Sequence, residues 1–141
     1  MYAKHFCKHS NFNTVRERAP YQMNLTITLL DRGYLAWKIQ YQGEGIRDYQ
    51  MIPTKNPGHY ILDENNGIKI QRFVKGNELR DSFLINQKYF HSVTKLIGDS
   101  IEMMTTSFWQ GGALETSLAD GSNSVQSFIL RDTVSCKLRK K

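Results

Sequence analysis

Only two cysteines and three prolines occur in the 141 residues, and no apolar run is long enough to cross a bilayer as a helix. Two cysteines rule out a disulfide framework of the kind that holds small secreted domains. A chain of this length can bury roughly two-thirds of its unfolded surface, so neither a disulfide nor a metal is needed for folding. Cys7 and Cys136 stand near opposite ends of the chain and are expected to be free thiols. His5 and His9, with Cys7 between them, would share a helix face that excludes the cysteine, so no tetrahedral set forms and no metal is expected. The opening residues, MYAKHFCKHSNF, lack the apolar stretch of an export signal, which makes a cytoplasmic location the expectation. No phosphate-binding loop, nucleophile elbow or HExxH motif is present, so neither a catalytic set nor a cofactor is implied by motif.

The net charge of +6 is concentrated at the ends. Lys4, Lys8, Arg16 and Arg18 face only Glu17 before residue 19, and Arg131, Lys137, Arg139, Lys140 and Lys141 face only Asp132 after residue 130. The body between them is nearly neutral, with ten basic and eleven acidic residues. Basic ends without interleaved aromatics fit solvation or an acidic protein partner better than nucleic acid, and no membrane partner is implied.

What the sequence has in abundance is alternation of apolar and polar residues. Residues 1–20 show no period and read as an N-terminal arm or short helix closed by Ala19-Pro20. From Gln22 to residue 139 the period is two. Met23, Leu25, Ile27 and Leu29 share one face of a strand, and Leu35, Trp37, Ile39 and Tyr41 share one face of the next. Turns are marked by Asp31-Arg32-Gly33, Gly43-Glu44-Gly45, Asn65-Asn66-Gly67, Gly76-Asn77, Asn86-Gln87, Gly98-Asp99, Gly111-Gly112 and Asp120-Gly121. The Asn66-Gly67 pair favours a type I′ hairpin, and Pro53–Gly58 is the longest loop, a lid or a wide corner. The clearest hairpin is Lys88–Trp109, two long arms about Gly98-Asp99, both faces of which mix apolar and polar residues.

About ten strands joined by short connections predict a single all-β domain, an antiparallel up-and-down barrel, with a sandwich as the alternative. A mixed lining suits a cavity for a molecule with an apolar body and a few polar groups. Wall residues that could meet it are Trp37, Tyr49, Met51, Phe83, His91, Met103, Met104 and Trp109; Arg18, Arg47, Arg72 and Arg80 could pair with carboxylates. A homodimer is a further option for such a domain.

The meander resembles the calycins, the lipocalin-like barrels. The likeness is more specific to the S-type phycobiliprotein lyases, on Phe6, Ser10 and Arg18 of the opening segment, Met104-Thr105-Thr106 with Glu115-Thr116-Ser117-Leu118-Ala119, Ser127-Phe128-Ile129-Leu130, and Cys136 ahead of Leu138-Arg139. Thr14 stands where that family has a Trp, and Val125 and Gln126 where it has arginines. The resemblance implies a lyase that holds an open-chain tetrapyrrole (bilin) as transferred ligand, not cofactor, and presents it to a cysteine of a phycobiliprotein subunit. Arg18 would meet a bilin carboxylate and Glu115 a pyrrole nitrogen. A carrier of another hydrophobic molecule, or a filled barrel that serves as an interaction module, are the other readings.

Overall fold

Alternation becomes burial along the chain. The computed structural model describes the backbone of residues 2–3, 7–11, 18–118 and 121–140, and the side chains of 22–111 and 127–139. Nine consecutive strands form an antiparallel meander: β4 (Met23–Leu29), β5 (Leu35–Tyr41), β6 (Ile46–Pro53), β7 (His59–Asp63), β8 (Lys69–Lys75), β9 (Glu78–Ile85), β10 (Lys88–Ile97), β11 (Ser100–Leu118) and β12 (Gly121–Lys140). Three short strands, β1 (Tyr2–Ala3), β2 (Cys7–Asn11) and β3 (Arg18–Tyr21), complete one strongly curled, barrel-like sheet. Tyr2 pairs with both Leu25 and Lys140, so β1 joins the first strand of the meander to the last. The described part of the N-terminal segment is therefore strand and not helix. Pro20 is tolerated there because β3 lies at the end of the strand order, where a missing N–H breaks no ladder.

The inner face is read from the period-two pattern. Met23, Leu25, Trp37, Ile39, Met51, Leu62, Ile70, Ile101 and Leu138 form the core, joined by Cys136. Each large side chain buried there contributes roughly 1.5–3 kcal/mol of transfer free energy. In the Lys88–Trp109 hairpin the pairing runs from Lys88↔Trp109 to Ile97↔Ser100, so the turn is Gly98-Asp99 as expected, and Gly98 takes φ 57°. Of its two mixed faces, the one carrying Ile101, Met103, Thr105 and Ser107 points inward; Met104 on the other is exposed.

Other expectations are corrected. The segments on either side of Gly111-Gly112 are one strand, with a register shift between Gln110 and Ala113 in place of a turn. Glycine inside a strand commonly marks such a bulge, and a Cβ at Gly111 would stand 3.0 Å from the Ser127 carbonyl oxygen. Residues 124–131 and 134–138, which read from sequence as two strands, are both part of β12, continuous from Gly121 to Lys140. Asn65-Asn66-Gly67 sits in a five-residue loop, not a two-residue hairpin: Asp63 Oδ1 accepts from Asn65 N and Asn66 Oδ1 from Ile68 N, and these side-chain turns hold the wider loop. The Pro53–Gly58 region is a pinned corner. Thr54 N donates to the His59 carbonyl, Asn56 N to Thr54 Oγ1, and Val74 N to the Gly58 carbonyl. Cys136 is disulfide-bonded and not a free thiol; the chain's other cysteine, Cys7, is its register partner on β2. Distance in sequence misled here, because the sheet sets the two chain ends side by side.

Candidate functional site

The curled sheet has two ends. The first carries the β4–β5, β6–β7, β8–β9 and β10–β11 connections; the second carries the β5–β6, β7–β8, β9–β10 and β11–β12 connections. A cavity of about 220 Å³ opens at the first end, between the inner face and the Gly76-Asn77 turn. Ile27, Trp37, Val74, Leu79, Thr94 and Ile101 line it. All but Thr94 are apolar in body, and each sits at an inward position of its strand.

Trp37 is the residue that makes this cavity chemically distinctive. Its ring is 3 % exposed, and its buried indole N–H has no hydrogen-bond partner. A buried donor left unpaired costs roughly 1–3 kcal/mol. Arg72 lies over the ring with Cζ 5.1 Å from its centroid. That guanidinium is itself fixed: Nε and Nη2 both donate to Asp81 Oδ2 at 2.9 Å, and Nη1 donates to Met51 Sδ at 3.6 Å. Burial pulls the Arg72 guanidinium below its ordinary value, and Asp81 opposes the change. The period-two rhythm could have announced the pair, since Arg72 falls between Ile70 and Val74 and Asp81 between Leu79 and Phe83 on inward positions. Arg72 is thus committed to a wall contact and is not an open carboxylate receptor. Arg47 and Arg80 are also engaged, with Glu44 and Glu78.

Tyr49 pairs in register with Trp37 on the neighbouring strand and lines a wider, open cleft of about 690 Å³ at the second end, with Arg47, Glu64, Asn65 and Asn66. Burial, then the Glu64 charge, raises the Tyr49 hydroxyl above its usual value. Burial also raises the Glu64 carboxyl, while the Asn66 hydrogen bond and the charges of Arg47 and Arg72 hold it back.

Of the residues singled out from sequence, Trp37, Tyr49, Met51 and Arg72 are brought together. Trp109 lies midway along β11, beside the start of β10, and is 41 % exposed. His91 and Met104 face outward. His91 Nδ1 is 2.7 Å from Ser82 Oγ in a cross-strand pair on the exposed face, and Met104 lines a groove of about 310 Å³ there with Val93, Lys95 and Lys137. Neither can line the interior while the hairpin holds its register. Arg18 pairs with His9 on β2, and Glu115 pairs with Ser124 in the part of β11 beyond β10; their side chains lie outside the described residues. Through His9↔Val134 and Val134↔Thr105, Arg18 belongs to the row of Thr105, ten residues from Glu115 along β11.

Fold and cavity together define an all-β, barrel-like domain. No family model and no curated protein matches the sequence. Among solved structures, the chain is similar to a protein of unknown function from the DUF3598 family of Nostoc punctiforme PCC 73102, with a TM-score of 0.64 and 17 % identity. The match covers 99 % of this chain and 46 % of the other, so the chain spans less than half of its neighbour's length. At that identity the likeness is one of fold. Among the described residues no helix is long and apolar enough to cross a membrane.

Proposed function

We propose that the protein binds and carries a small, largely apolar molecule in the Trp37 cavity, in the manner of the calycin barrels that its meander resembles. The observation that carries this reading is the mostly apolar cavity of about 220 Å³ walled by Trp37. About 150 Å³ is enough to hold benzene in a dry cavity, so this space suits a small aromatic ring system or a short chain. Affinity would come mainly from apolar contact, as in most such pockets.

The finer form of the proposal takes the ligand to be an open-chain tetrapyrrole passed to a phycobiliprotein cysteine. Its support is the resemblance of the opening segment and of the Met104 to Leu130 region to the S-type lyases. One pyrrole ring would fill the cavity and the others would extend past the Gly76-Asn77 turn, and the protein's part would be positioning and protection. Titration of the full chain with biliverdin and, separately, with the uncharged aromatic probe 1-aminoanthracene tests both levels. Saturable binding of the probe, abolished by Val74→Phe, is the expected result for the carrier. A shifted and sharpened bilin spectrum, also lost in Val74→Phe, is expected for the finer reading. No saturable response to either probe overturns the proposal.

A further inference from the structure

We infer that Lys88 and Arg131, converging on Trp109 at the second end of the sheet, form a receptor for an oxyanion, a carboxylate or phosphate group. Lys88 is the register partner of Trp109, and its Nζ lies 5.0 Å from the indole centroid. Arg131 approaches the same ring with Cζ at 5.3 Å. It does so because β12 is bulged here: Ser107 pairs with Asp132 and Phe108 with Leu130, so Arg131 is the extra residue between them. Bulges re-aim a side chain in this way, and they are common beside functional sites.

Among the described residues, the cations at this point outnumber the carboxylates. Asp132 is buried and accepts the Ser107 hydroxyl hydrogen. Its second oxygen is 3.7 Å from Arg131 Nη1, which also lies 3.4 Å from Ser107 Oγ. Both of the Arg131 distances are long for charge-assisted bonds, so the guanidinium retains donors. Lys88 has no carboxylate partner among the described residues, whereas Lys38, Lys95 and Lys137 each have one. Two cations therefore share one indole and one nearby carboxylate. A cation over an aromatic face gains roughly 0.5–2 kcal/mol, but two on one ring repel each other unless an anion lies between or beside them. The planar fork of Arg131 and the mobile ammonium of Lys88 are the usual pairing for a carboxylate or phosphate. Trp109 is exposed enough to offer its ring to whatever apolar part the anion carries.

This site lies at the opposite end from the Trp37 cavity and stands or falls separately from it. The test follows tryptophan emission of the full chain during titration with inorganic phosphate and with octanoate, with octanol as the uncharged control. With the Trp37 cavity filled by Val74→Phe, both anions should still give a saturable change, Trp109→Phe added to that variant should remove it, and octanol should give none. Lys88→Gln and Arg131→Gln should each weaken binding about tenfold, the loss of one charge-assisted contact. Tighter binding of octanoate than of phosphate would assign the anion to the head of an amphiphile, and equal binding would assign it to a free oxyanion. No saturable change from either anion up to about 10 mM overturns the inference, since that bounds any affinity as negligible. So does a change that both charge-removing variants leave intact, with circular dichroism showing each variant folded.

Discussion

Arg72 and Asp81 carry the largest single-residue consequence in the interior. Breaking a buried ion pair strands the remaining charge and costs about 3–5 kcal/mol, whereas replacing both partners by apolar groups of similar volume is often neutral. Arg72→Met and Asp81→Leu should each lower the unfolding free energy read from urea denaturation by an amount in that range, and the double variant should recover most of it. A double variant whose loss is the sum of the two single losses would show that the pair is not coupled. Glu64 gives a pH-dependent counterpart. Its folded-state pKa is raised, so the folded state holds its proton above the pH at which the unfolded chain releases it. Stability from this group therefore falls as pH rises through that window, and the cost is fully present at neutral pH. Glu64→Gln should raise the melting temperature at pH 7 and change it little below the ordinary carboxylate pKa; the opposite order would contradict the assigned cause.

At the scale of the element, the β9–β10 turn places two side-chain-bearing residues in the left-handed region. Asn86 and Gln87 both take positive φ, 49° and 62°, the geometry of a type I′ turn, but Gln87 carries a side chain that the left-handed region disfavours. Gln87→Gly should stabilise the chain by about 1 kcal/mol, read as a higher urea midpoint with an unchanged slope. Gly58→Ala should do the reverse, since φ is 76° and the new Cβ would stand 2.6 Å from the Val74 carbonyl oxygen. The β10–β11 pairing was legible residue by residue, because a Gly-containing two-residue turn between alternating arms fixes register. The Trp37 row was legible for the same reason. The paths of β11 and β12 were not, since Gly111-Gly112 has the same letters whether it turns a chain or bulges a strand. Which face of the Lys88–Trp109 hairpin pointed inward was also closed to the sequence: both faces mix polar and apolar residues, and only the neighbours decide. His91 and Met104 were misplaced on that account, while Lys88 and Arg131 went unnoticed as partners because a bulge brings them to one ring.

For the molecule as a whole, the disulfide at Cys136 and the pairing of Cys7 opposite it tie the N-terminal strands to β12. Closing a loop of roughly 130 residues stabilises a fold by about 4–5 kcal/mol in the chain-entropy account. Reduction should therefore lower the melting temperature markedly, and thiol titration of the unreduced, unfolded chain should find no free cysteine; two reactive thiols would contradict the bond. Disulfides persist mainly in oxidising compartments, so the covalent structure and the expected cytoplasmic location pull in different directions. The neighbour of like fold is more than twice as long as the stretch matched, so this domain is the size of a part of that protein.

The central claim is that the inner face around Trp37 is a ligand cavity and not a filled core. Its most direct test is the titration of the full chain with 1-aminoanthracene, followed by the probe's fluorescence, with Val74→Phe alongside. The account predicts saturable, one-to-one binding in the native chain and none in the filled variant at unchanged fold. Equal binding by both proteins, or by neither, would contradict it.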